Sequence, residues 1–161
     1  MRSEADTNRA IEQYADMVRR ICLVHLKNES DTEDIFQTVF LKYVLHSAPF
    51  ESEEHEKAWL IRVTVNACRD LLRDLFRART VPLEQWQALA PSSPDPETRE
   101  VLEAVLALPV KYRDVVYLHY YEGYTAGEIA GLLGRNVNTV YTLLTRARQR
   151  LKETLEGGDH P

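Results

Sequence analysis

Apolar residues recur at three- and four-residue steps along most of this chain, and no stretch alternates in the manner of a strand. Near the start, Ile11, Tyr14, Ala15, Val18, Ile21, Cys22 and Leu26 mark one face of a first helix, which stops at the polar stretch Lys27–Ser30. Ser30 with Glu33 three residues on fits a capping box. A second helix follows, with Ile35, Phe36, Val39, Phe40, Tyr43 and Val44 on its buried stripe, and ends before Pro49. A third helical region runs from about Glu54 to Arg79. Its inner side is supplied by Ala58, Ile61, Val65, Cys68, Leu72 and Leu75, with Trp59 closing the core from the flank. The pattern predicts a three-helix bundle.

The second half is helical again. A helix begins near Thr98 with Val101, Leu102, Val105 and Leu106, and Pro109 separates it from one carrying Val115, Val116 and Leu118. Gly123 suits a left-handed stop, and Thr125 with Glu128 makes another capping box opening a short helix with Ile129, Leu132 and Leu133 inside. Gly134 ends that helix. After a short turn, Val137, Val140, Leu144, Ala147 and Leu151 hold one apolar face of a longer one. A short helix, a Gly-bearing turn and a longer helix form a helix-turn-helix pattern.

Between the halves, Pro82, Pro91, Pro94 and Pro96 with Ser92 and Ser93 read as a linker, in which Trp86 and Leu89 offer an anchor. The expected fold is therefore all-α, two small helical domains over residues 1–80 and 98–156, joined by a linker at 81–97 and followed by a tail at 157–161.

Composition narrows the function classes. The 161 residues are 44% apolar, enough for packed cores. No run approaches the ~20 apolar residues that cross a bilayer, and the N-terminus lacks a signal-peptide pattern. The expectation is a cytoplasmic protein without membrane insertion. Cys22 and Cys68 show no metal or redox spacing and are expected to be unpaired core residues in a reducing compartment. None of the five histidines lies in a His-Glu-x-x-His or Glu-x-x-His pattern, and no Gly-rich phosphate loop is present. Cys22 and His25 sit three apart but have no partner ligands. These observations argue against an enzyme, a metal, a cofactor or a small-molecule substrate.

The net charge of −5 hides a strong asymmetry. Asn28 to Glu56 holds eight acidic residues against Lys42 alone, whereas Lys57 to Arg79 holds six basic residues against Asp70 and Asp74. Ile129 to Lys152 has no acidic residue and five basic ones. In the last helix, Asn138, Thr139, Tyr141, Thr142, Thr145, Arg146 and Gln149 lie opposite the apolar face, with Arg148 and Arg150 towards the flanks. Such residues read base edges and neutralise phosphates when a second helix enters the major groove. In the third helical region, Arg62, Asn66, Arg69 and Arg73 line one face at steps of four, three and four. Arginines hold phosphates, and an amide offers the donor and acceptor that read an unstacked base. The alternative is a solvated face in which Asp70 and Asp74 pair along the helix.

The stretches DTEDIFQTVFLKYV (Asp31 to Val44), AWLIRVTVNACRDLLRD (Ala58 to Asp74) and LPVKYRDVVYLHYYEGYTAGEIAGLLGRNVNTVYTLLTRARQRL (Leu108 to Leu151) resemble, in order, the characteristic segments of extracytoplasmic-function sigma factors. The resemblance implies two domains, sigma regions 2 and 4, that bind bacterial core RNA polymerase and promoter DNA. By position it implies core-polymerase binding at Asp34, Gln37 and Leu41. It places −10 recognition at Arg62, Asn66, Arg69 and Arg73, where the preceding helix junction captures a flipped base. The −35 element is assigned to the second helix of the helix-turn-helix, Asn138 to Arg148. It also implies restraint by an anti-sigma factor.

Two departures stand out. Asp74 follows Arg73 where many members carry a run of arginines. Tyr141, Thr142, Leu143 and Leu144 replace a common Lys-Ser-Arg-Leu, which points to an unusual −35 sequence or a larger apolar contact to thymine methyl groups. A DNA-binding regulator that never joins polymerase shares the second domain, and the first domain separates the readings. An interaction module that binds an inhibitor is a third.

Overall fold

A computed structural model describes residues 1–26, 28–78 and 96–157. The described residues form helices α1 (Glu4–Leu26), α2 (Glu29–Leu45), α3 (Glu53–Ala78), α4 (Pro96–Leu106), α5 (Val110–Val116), a π-helical turn (Tyr117–Tyr121), α6 (Ala126–Leu133) and α7 (Val137–Gly157). They fall into two units, Met1–Leu89 and Ala90–Pro161. The prolines at 82, 91 and 94, the anchors Trp86 and Leu89, the tail beyond 157, and the side chains of Leu75 and Leu102 lie outside the described residues.

In the first unit each helix start is set by a small polar side chain. Ser3 Oγ accepts from the Asp6 N–H, and Ser52 Oγ accepts from the His55 N–H. The cap of α2 differs from the expectation at Ser30. Asn28, in extended conformation, accepts from the Asp31 N–H at 2.9 Å, so the helix starts earlier and Ser30 lies exposed in its first turn. Glu29 and Asp31 then sit at the positive end of the helix dipole. Glu33, freed from the box, pairs with Arg19 at 3.4 Å.

Helix α1 packs on both α2 and α3, which also meet each other. The core contains Val18, Ile21, Val39, Tyr43, Leu60, Ile61, Val65 and Cys68, all essentially solvent-free. Each large apolar side chain of this kind contributes roughly 1.5–3 kcal/mol by leaving water. Ile11, Ala15, Ala58 and Leu72 are only half-buried, and Ala10, Met17, Leu23, Leu60 and Ala67 complete the interface. Trp59 is half-buried at the flank, as its position implied.

In the second unit α7 is the central helix, packed against α4, α5 and α6. Helix α4 begins at Pro96, two residues before Thr98, because proline suits the first helical turn. Leu106 is buried as expected, Val101 is exposed, and Ala104 and Leu108 are buried in addition. Gly123 at φ 79° stops the π-helical turn, with the Tyr124 N–H reaching back to the Leu118 carbonyl. Thr125 and Glu128 form the reciprocal capping box. Gly134 at φ 64° ends α6, and Asn136 accepts from the Asn138 N–H to open α7.

The buried stripe of α7 differs from expectation at Val137, Leu143 and Leu151, the last being only half-buried. It comprises Val140, Leu143, Leu144 and Ala147, which rotates the apolar face towards Leu143 and leaves Val137 at its exposed edge. Leu143 therefore faces the core of its own unit. No helix among the described residues is long and apolar enough to cross a membrane.

Candidate nucleic-acid interface

On α3, Arg62, Asn66 and Arg73 are exposed and Arg69 is half-buried, along one stripe. Arg73 meets Asp70 at 3.1 Å, with both side chains mostly in water, where such pairs contribute little and exchange readily for a phosphate. Trp59 lies three residues before Arg62 and continues the same stripe towards the start of α3. Its ring joins a cluster from the α2–α3 connector: His46 at 4.7 Å and Phe50 at 5.7 Å, with Tyr43 at 6.2 Å. A row of cations and an amide thus ends in half-buried aromatic rings. The sequence pattern placed Trp59 at the flank of the core and missed its place on this stripe; extending the Arg62–Asn66 spacing by three residues finds it.

The outward face of α7 carries Asn138, Thr139, Tyr141, Thr142, Thr145, Arg146, Arg148 and Gln149, all exposed. The Thr142 hydroxyl donates to the Asn138 carbonyl at 3.0 Å, which fixes its direction and leaves its oxygen able to accept. Arg148 Nε donates to the Tyr120 hydroxyl at 2.8 Å, and the Arg150 guanidinium lies 5.0 Å from the Tyr112 ring centre. The two flanking arginines are each held by a tyrosine from the preceding segment.

On α2, Asp34, Gln37 and Leu41 are exposed on one face, Leu41 at 60%. Leu45, one turn further and 63% exposed, extends this apolar ridge. Two large exposed leucines beside acidic and amide groups are the composition of a protein-docking patch. Among the described residues no cluster of His, Cys, Asp and Glu could hold a metal ion.

A helical unit with a basic stripe and a second with an exposed recognition helix define a DNA-binding transcription protein. Two family models match it, Sigma-70 region 2 over residues 10–78 and Sigma-70, region 4 over residues 98–151. The chain is 31% identical over 139 residues to the ECF RNA polymerase sigma factor SigM of Mycobacterium tuberculosis, covering 86% of this chain and 71% of that protein. It is 27% identical over 161 residues to the ECF sigma factor SigW of Bacillus subtilis, covering 90% and 86%. Among solved structures, the sigma factor RpoE of Bartonella quintana, crystallised with the anti-sigma factor NepR, superposes with a TM-score of 0.73 at 19% identity, covering 94% of this chain and 97% of that one. CnrH, in complex with the cytosolic domain of CnrY, gives 0.64 at 22%, covering 98% and 92%.

The chain belongs to the ECF sigma factors of the sigma-70 family. It directs transcription initiation as a non-enzymatic factor acting with RNA polymerase on promoter DNA.

Proposed function

We propose that the two faces divide the promoter between them, residues 1–80 acting on the −10 element and residues 98–156 on the −35 element. The observation that carries this is the exposed stripe of α3, in which Asn66 lies between Arg62, Arg69 and Arg73. An amide flanked by guanidiniums binds a base that has left the stack while its backbone is neutralised. Arg62, Arg69 and Arg73 hold phosphates, Asn66 reads the base, and the α2–α3 connector receives it. On α7, Asn138, Thr139, Tyr141, Thr142, Thr145, Arg146 and Arg148 contact the major groove and its flanking phosphates. Asp34, Gln37 and Leu41 dock on core polymerase. Two readers on one chain raise each other's effective concentration, so modest separate affinities suffice.

The same surfaces are suited to an inhibitor. One structural relative is bound to the anti-sigma factor NepR and another to the cytosolic domain of CnrY, and the exposed Leu41–Leu45 ridge supplies an apolar patch on which an anti-sigma factor would rest. The reading places the protein in the cytoplasm and requires no cofactor.

The test is transcription by sigma-free bacterial core polymerase from a library of random promoters, with and without the purified chain. Selective initiation, with the chain co-purifying with core, is the expected result and yields the promoter motif. DNA binding without core association would overturn the reading. The variant Asn66→Ala is expected to slow promoter opening more than it weakens duplex binding.

A further inference from the structure

Arg2, two residues before α1 begins, is bound more extensively than any exposed-face arginine described above. Its backbone N–H donates to the Val44 carbonyl at 2.8 Å. Its guanidinium donates to the carbonyls of Tyr43 at 3.3 Å, His46 at 2.6 Å and Ala48 at 3.1 Å. It also pairs with Asp6 at 3.2 Å. The same group lies 4.5 Å from the Tyr43 ring centre and 4.8 Å from that of Phe50. One side chain therefore caps the C-terminal carbonyls of α2, where a cation is favoured, and reaches into the connector that leads to α3.

That connector carries the rings at the head of the basic stripe. His46 and Phe50 stack at 5.3 Å, and both meet Trp59, which shares a helix face with Arg62 and Asn66. A planar fork bound to three carbonyls and stacked on Phe50 fixes the connector in one shape, a task that a single-point ammonium performs poorly.

We infer that Arg2 is a positioning residue for promoter opening: it holds the α2–α3 connector and its His46–Phe50–Trp59 rings in the arrangement that receives an unpaired base. This rests on the assignment of α3 to the −10 element. Arg2 itself touches no DNA; its effect passes through the connector, by lowering the ordering cost of the platform before the base arrives.

The test uses holoenzyme reconstituted with the full chain carrying Arg2→Met or Arg2→Lys, with Asn66→Ala in parallel. Core affinity, thermal stability and strand opening are measured, the last as permanganate reactivity of unpaired thymines, on duplex promoter and on one with a pre-opened −10 region. Arg2→Met is expected to slow opening of the duplex about tenfold, the scale of one lost charge-assisted contact. Core affinity should stay within about twofold, and the pre-opened promoter should recover most of the loss. Arg2→Lys should fall between, and it carries the test if Arg2→Met does not fold. Unchanged opening in both variants, or an equal loss on duplex and pre-opened DNA that tracks the fall in thermal stability, would overturn the proposal. If Asn66→Ala slows opening and the Arg2 variants do not, Arg2 alone is misassigned. If Asn66→Ala also leaves opening unchanged, the assignment of α3 fails and the role of Arg2 falls with it.

Discussion

The Tyr43 hydroxyl donates to Glu56 Oε2 at 2.8 Å, inside the first unit, and Arg9 Nη2 reaches the same oxygen at 2.8 Å. Glu56 is a charged residue in a nearly solvent-free position, held there by partners from α1 and α2. It ties three helix ends together below the α2–α3 connector. Glu56→Ala removes the acceptor shared by both donors and leaves the Tyr43 hydroxyl only its long contacts to Asp6 Oδ2 and Arg9 Nη2, each at 3.4 Å. The expected loss is about 1–3 kcal/mol in the denaturant unfolding of the first unit, followed by Trp59 fluorescence in a Trp86→Phe background.

The same network sets an alkaline limit. Burial raises the Tyr14 hydroxyl to about 12, helped by the charges of Glu56 and Glu53. Burial, the hydrogen bond to Glu56 and its charge push Tyr43 higher still. Both phenols stay protonated in the folded chain after the unfolded chain begins to lose the proton near its ordinary value of 10. The native state then binds more protons, so stability is complete below pH 10 and falls as pH rises towards 12 and beyond. Urea midpoints between pH 9 and 11 should decline in the wild type and decline less in Tyr43→Phe.

Cys22 and Cys68 are free, fully buried, and placed with their sulfurs 3.9 Å apart between α1 and α3. The neighbouring Cys22 sulfur and burial both raise the Cys68 thiol, so its thiolate is scarce near neutral pH. An aromatic disulfide reagent should label neither cysteine at the rate of a free thiol until denaturant is added, and then both at once. Rapid labelling of native protein would contradict this packing.

Asp114 is almost completely buried in the second unit, where Arg135 approaches at 3.4 Å and the Val115 N–H donates at 2.8 Å. Asp114→Ala removes the buried carboxylate that faces Arg135 and takes away the negative charge beside the buried Arg113. It should destabilise the second unit by roughly 3 kcal/mol, the cost of breaking a buried charged pair. Hydrogen exchange at α5 and α7 amides is expected to accelerate while α1 and α3 stay protected.

At the two ends of α6, Thr125→Ala removes one arm of the capping box and should cost about 1 kcal/mol. Gly134→Ala meets open space, so its penalty comes from the left-handed backbone alone, roughly 1–2 kcal/mol. Both should weaken −35-dependent transcription by loosening the turn before α7, with the loss recovered at lower temperature.

Much of this molecule follows from residues close together in the chain. The spacing of apolar residues locates every α-helix among the described residues and most inward faces, because a helix brings residues three and four apart to one side whatever surrounds it. The Thr125–Glu128 box, the stop at Gly134, and the exposed row of Asn138, Thr142, Thr145 and Arg146 are local in the same sense. What tertiary structure decided is which distant groups meet. Asn28 rather than Ser30 caps α2, since both residue types cap well and the path of the chain into the helix selects between them. Leu143 turns inward and Val137 outward because the positions of α4, α5 and α6 set the centre of the buried stripe of α7. Arg2 reaches the end of α2, Cys22 meets Cys68, and Glu56 goes under Tyr43 across sequence separations that no helical period encodes. Those contacts exist only once three amphipathic faces have closed on one another and the polar groups caught between them have found partners.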